Sequence, residues 1–152
     1  MPKSGHNSTI GGGGFHHVAL RANNFDATLK FYCEGLGFTK KYGWGEDLSE
    51  PGQKDSRAAM LDTGDGNYLE VFAGGSRPQG VILQEEIFLH IAFRSNDVPV
   101  AMKRALEHGA TLYQETKSVI PNNADEPKQT FTIGFVRGLD GELIEFFDNA
   151  VL

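Results

Sequence analysis

Cysteine is almost missing from this chain of 152 residues; Cys33 stands alone. That excludes an internal disulfide and suits a reducing, cytoplasmic setting. Basic charge is short as well. Fourteen Lys and Arg face twenty Asp and Glu, a net charge of −6, and the cations are scattered along the chain. Nucleic acids and acidic membranes both reward basic stripes, so neither is expected as a partner. No apolar run approaches the roughly 18 residues of a membrane span. The opening MPKSGHNSTIGGGG has no hydrophobic stretch of the kind that makes a secretory signal, and residues 1–14 read as a flexible, glycine-rich tail.

What the chain does have is an echo. FHHVALRANN (15–24) returns as FLHIAFRSND (88–97), identical at Phe, His, Ala, Arg and Asn, every second position. Successive side chains of a strand point to opposite faces, so the kept residues share one face of a strand that occurs twice. Val18 and Leu20, like Ile91 and Phe93, form the other face, where any apolar residue of suitable size fills a core. A face of His17, Ala19 and Arg21 suits a cavity wall, because alanine leaves room beside its neighbours.

The echo extends along the chain. FDATLKFYCEGLGF carries Phe25, Leu29, Tyr32 and Leu36 at helical spacing, with Asn24 placed to cap the start and Gly35 and Gly37 to end it. In that setting Cys33 reads as a buried small residue rather than a reactive thiol. A strand near 38–42 is expected next, then a polar loop, then strands AAMLD (58–62) and NYLEVFA (67–73) around a Gly-Asp-Gly turn. The second half repeats this with a helix in VPVAMKRALEHGA, a strand near 111–115, and the strands TFTIGFV and ELIEFFD. His108 sits beside Gly109 at the expected helix end, an ordinary place for such a residue.

DGNYLEVF (65–72) also overlays DGELIEFF (140–147). His90 follows His17 by 73 residues and Glu145 follows Glu70 by 75, so two separate segments agree on one duplication. The expected fold is therefore α+β: two tandem βαβββ modules, 15–87 and 88–152, with curled mixed sheets. A half that small scarcely buries its own sheet.

Each half supplies a histidine at the start of one strand and a glutamate centred in another, apolar strand, where an unpaired carboxylate is costly. A lone strand histidine is more often a hydrogen-bonded structural residue, and a lone inward glutamate usually pairs with an arginine, here Arg21 or Arg94. Recurrence of all four in register favours a metal instead. Neutral imidazoles and anionic oxygens suit one borderline divalent ion, Ni²⁺ or Zn²⁺ first, then Co²⁺, Mn²⁺ or Fe²⁺. His16 has Leu89 as its counterpart and reads as a core-side or sheet-edge residue, not a ligand.

HHVALRANNFDATLKFYCEGLGF, HIAFRSND and DGELIEFF together resemble the vicinal oxygen chelate superfamily of glyoxalase, bleomycin-resistance and extradiol-dioxygenase proteins, over about residues 15–149. The resemblance implies paired modules whose sheets curl around a metal cavity, commonly in a homodimer. It carries the ligand positions onto His17, Glu70, His90 and Glu145, with Glu70 and Glu145 also catalytic and Arg21 and Arg94 substrate-binding. A His/Glu/His/Glu set looks most like glyoxalase I, which moves a proton beside the chelated carbonyl of a hemithioacetal formed from a 2-oxoaldehyde and a thiol. An acyl-CoA epimerase, an extradiol dioxygenase, a thiol transferase and a metal-free drug-binding module are the alternatives. Glutathione-type members often carry Asn shortly after the first Glu; Gly74 stands there, which leaves other thiols open. Arg77, Lys117 and Lys128 are expected in loops that could hold an anionic cofactor tail.

Overall fold

The computed structural model describes residue 9 and residues 15–47, 51–78, 88–122 and 124–149. The proposed tail over 1–14 lies, apart from Thr9, outside them, as does the module boundary at Ile87. Backbone contacts divide the chain into two compact units between Arg77 and Pro78.

In the first unit β1 (His17–Arg21) leads to helix α1 (Phe25–Lys30), then β2 (Thr39–Trp44), β3 (Ala58–Asp62) and β4 (Tyr68–Phe72). The strands lie in the order β1-β4-β3-β2; β1 runs parallel to β4 and the other neighbours are antiparallel. The Asn24 side chain accepts from the Ala27 amide at 3.0 Å, which satisfies one of the orphan donors of the first turn. The apolar stripe predicts helix to Leu36. The α-helix stops at Lys30, however, and the chain continues as a π-helical turn over Phe31–Gly35, with the Leu36 amide reaching back five residues to the Phe31 carbonyl. One wider turn shifts the apolar register, so that adjacent Phe31 and Tyr32 are both buried.

The second unit has the same plan. Strand β5 (Ile91–Arg94) is followed by helix α2 (Val98–Glu107), β6 (Thr111–Val119), β7 (Phe131–Arg137) and β8 (Leu143–Asp148). The order is β5-β8-β7-β6, with β5 parallel to β8. Asp97 caps α2 by accepting from the Val100 amide at 3.1 Å. At its other end Gly109 adopts φ +105°, a left-handed value that glycine takes without a Cβ penalty. The 111–115 strand runs on to Val119, which puts Lys117 in a strand opposite Ile133 and corrects its expected place in a loop.

Each helix covers one face of its own sheet. Leu61, Leu69 and Val71 are fully buried beneath Phe25, Phe31 and Tyr32 in the first unit; Val136, Ile144 and Phe146 lie beneath Val98, Met102 and Ala105 in the second. Each such aliphatic side chain contributes about 1.5–3 kcal/mol by leaving water. Helix α2 sits so close that a Cβ on Gly134 of β7 would lie 2.9 Å from the Met102 sulfur. Burial of the odd-numbered Leu69 and Val71, and of Ile144 and Phe146, turns the alternate residues of the same strands to the uncovered face.

Candidate metal centre

In β1 and β4, parallel pairing sets Ala19 opposite Glu70 and Arg21 opposite Phe72; antiparallel pairing sets Met60 of β3 opposite Glu70. Partners across a ladder share a face, so His17, Ala19, Arg21, Glu70 and Phe72 all lie on the face away from α1. Across the small Ala19 side chain, the His17 imidazole reaches the carboxylate: Nε2 lies 3.3 Å from Glu70 Oε2.

The second unit repeats this geometry. Ala92 stands opposite Glu145, which stands opposite Phe135. His90, one residue ahead of β5, brings Nε2 to 3.0 Å from Glu145 Oε2. Its ring meets Phe135 edge to face, with centroids 5.5 Å apart. Glu145 is 8% exposed, and burial pushes its carboxyl above the usual carboxylate range, an effect partly offset by His90. Each glutamate thus faces the imidazole of its own half.

Two ligand atoms at about 2.0–2.2 Å from one ion, at angles between square and tetrahedral, lie about 2.8–3.6 Å apart. Both pairs meet that spacing, and their donors, one neutral nitrogen and one carboxylate oxygen, fit a borderline divalent cation. Each unit on its own thus offers two ligands. Among the described residues, no group of three or more His, Cys, Asp or Glu gathers at metal-holding distance.

Around the first pair lies a feature that the sequence motifs do not flag. Tyr42 and Trp44 of β2 are exposed, their rings 5.9 Å apart, and Trp44 meets Phe72 edge to face at 6.1 Å. The Arg21 guanidinium lies 5.6 Å over the Phe72 ring and donates to the Ala73 carbonyl at 2.8 Å. The signal available for this shelf was YGW, two aromatics at strand spacing with the only tryptophan of the chain. Arg94 takes the matching place in the second sheet, opposite Phe147. Arg77 donates to the Arg21 carbonyl at 2.6 Å, and its amide donates to the Asn23 side chain, so it fastens its own loop. Lys128 is exposed. Cys33 is half-buried and burial raises its thiol pKa, away from a reactive thiolate.

The sequence profile of the glyoxalase/bleomycin resistance protein/dioxygenase superfamily matches residues 14–146. The chain belongs to that superfamily. No curated protein matches it in sequence. Among solved structures, a glyoxalase family protein from Enterococcus faecalis is 25% identical, covering 89% of this chain and 97% of its own, with a TM-score of 0.60. TioX from Micromonospora sp. ML1 is also 25% identical, over 89% and 98%, with a TM-score of 0.56. The trypanothione-dependent glyoxalase I of Leishmania major shares the fold at 23% identity, over 89% and 86%, with a TM-score of 0.60. In this superfamily member the two tandem βαβββ modules expected from the duplication are present, and among the described residues no helix is long and apolar enough to cross a membrane.

Proposed function

We propose that this protein is a metal-dependent lyase or isomerase of the glyoxalase I type. His17, Glu70, His90 and Glu145 would together hold one Ni²⁺ or Zn²⁺ ion, drawn from one chain or from the two chains of a homodimer. One observation carries the reading: the approach of an imidazole Nε2 to a carboxylate oxygen, at 3.3 and 3.0 Å, recurs at equivalent places in both modules. The donors of both pairs, a neutral nitrogen and a carboxylate oxygen, suit the same kind of cation.

When bound, a divalent cation supplies the Lewis acidity that makes a C–H beside a chelated carbonyl acidic. The residues of the chain then handle the proton. Glu145, almost buried beside His90, takes the proton from carbon as general base and returns the same proton to the neighbouring carbon as general acid. Glu70, from the other half, would complete the ligand set. The substrate is the hemithioacetal of a 2-oxoaldehyde and a low-molecular-weight thiol, and the product is a 2-hydroxyacyl thioester. Arg21 and Arg94, on the same faces as the ligands, meet an anionic end of the thiol.

The Tyr42–Trp44–Phe72 shelf favours a second reading, a metal-free module that sequesters a flat apolar drug. Turnover separates the two. Ni²⁺- or Zn²⁺-loaded protein is assayed on methylglyoxal with glutathione or bacillithiol, with methylmalonyl-CoA, catechols and fosfomycin as the other arms. Thioester formation that disappears in Glu145→Gln is expected. An inactive protein without bound metal that quenches Trp44 fluorescence on binding an aromatic drug would replace the proposal with the second reading.

A further inference from the structure

The two half-sites hold their histidines in different ways. In the first module His16, next to the ligand candidate, is exposed beside the edge strand β1, which fits the sheet-edge alternative and not the core-side one, and its Nδ1 lies 2.9 Å from Nδ1 of His17. The rings meet edge to face with centroids 5.2 Å apart. His16 is itself held in place. Its ring lies 5.2 Å from that of Tyr68 at an interplanar angle of 32°, and its carbonyl accepts from the Tyr68 amide at 2.8 Å. In the second module both partners are exchanged together: Leu89 stands for His16 and Leu143 for Tyr68, while the ring of His90 rests on Phe135.

We propose that His16 is a positioning residue for His17, its Nδ1 accepting the hydrogen that His17 carries on Nδ1 when Nε2 is given to a cation. The inference rests on the metal reading above. A carboxylate only accepts, so facing Glu70 alone, neutral His17 carries its hydrogen on Nε2 and offers Nδ1 as an acceptor to Nδ1–H of His16. Giving Nε2 to a cation requires the other tautomer. The Nε2 proton leaves to water, and the Nδ1 hydrogen of His16 passes to Nδ1 of His17. His16 then takes a proton from water on its own Nε2, with no net gain or loss by the pair. An imidazole that can switch between donor and acceptor at a fixed place serves both states; a leucine serves neither. Partners of this kind fix the ring orientation of ligating histidines, and their loss weakens metal affinity by about 10–100-fold.

The test titrates metal-free protein with Zn²⁺ against a chromophoric chelator, in wild type, His16→Phe, His16→Gln and Glu145→Gln. Phenylalanine keeps a ring against Tyr68 and removes both nitrogens; glutamine restores a polar partner without the ring. His16→Phe is expected to bind about 10–100-fold more weakly, with His16→Gln recovering most of the loss. In the Zn²⁺-loaded protein, a slowly exchanging imidazole N–H resonance of His17 Nδ1 is expected in wild type and to vanish in His16→Phe. Wild-type affinity in His16→Phe, or no recovery in His16→Gln, overturns the role of His16 while Glu145→Gln still abolishes binding. If Glu145→Gln keeps wild-type affinity, the four-ligand reading itself falls.

Discussion

The first module sets a second histidine beside its His–Glu pair, and the second sets a phenylalanine beside its own. His17 lies against His16, with Tyr68 behind it. His90 lies against Phe135, with Leu143 buried nearby and Glu145 almost out of water. Strand order and the pairing of alanine with glutamate are the same in both, and the His–Glu distances are close, 3.3 and 3.0 Å. The duplication thus preserved the part that geometry demands and let the electrostatic surroundings diverge. In the second module, burial pushes the Glu145 carboxyl above the usual carboxylate range.

Filling the space between ligands breaks the likeness of the two halves most severely. Ala19→Leu and Ala92→Leu each put a large side chain where an imidazole crosses to its carboxylate. Either one should abolish Zn²⁺ binding and turnover while leaving the circular dichroism spectrum unchanged. Retained binding in just one variant would show that only the other half-site holds metal.

Cutting into the cores comes next. Leu69→Ala and Ile144→Ala remove fully buried side chains from matching strands and should each cost about 2–5 kcal/mol. Trp44, the only tryptophan, reports on the first module by fluorescence in urea, and amide exchange along β8 reports on the second. An Ile144→Ala loss seen equally by both probes would mean that the modules unfold as one.

Acid should separate the modules by sign. Asp55, bonded by Arg57, and Asp65, bonded by the Thr63 hydroxyl, are held below their usual value of 3.8. Their contribution is complete above that value and is lost as pH falls through the lowered ones. Glu145 is raised above its usual 4.5 by burial, so its folded form binds the proton more readily than the unfolded chain. The metal-free second module should therefore gain stability as pH falls from neutrality towards 4.5, whereas the first weakens only below 3.8. Urea midpoints across that range check this, and Glu145→Gln should erase the gain. Smallest are the caps: Asn24→Ala and Asp97→Ala should each cost about 1 kcal/mol, seen as similar shifts in the two probes.

Much of this was legible in the sequence because strand alternation and duplication constrain each other. AAMLD gives β3 over its full length, the parity of His17 and Glu70 gives the shared face, and Asn24 gives the cap. The π-helical turn was hidden, because one residue of extra winding leaves the apolar composition of FYCEGLGF unchanged. The length of β6 was hidden as well: TKSV sits in an edge strand with little buried surface, so it shows no apolar alternation. The contact of His16 with His17 was missed for a related reason. Reading the repeat rewards what is kept, and His16 is informative because it is not.

The most direct test of the proposed four-ligand site is the metal content of the Zn²⁺- or Ni²⁺-loaded protein, measured by native mass spectrometry on wild type, Glu70→Gln and Glu145→Gln. One ion per chain in wild type, and none in either variant, is predicted by the proposal that four ligands from two modules hold a single cation. Two ions per chain, or one ion that survives the loss of either glutamate, would contradict it.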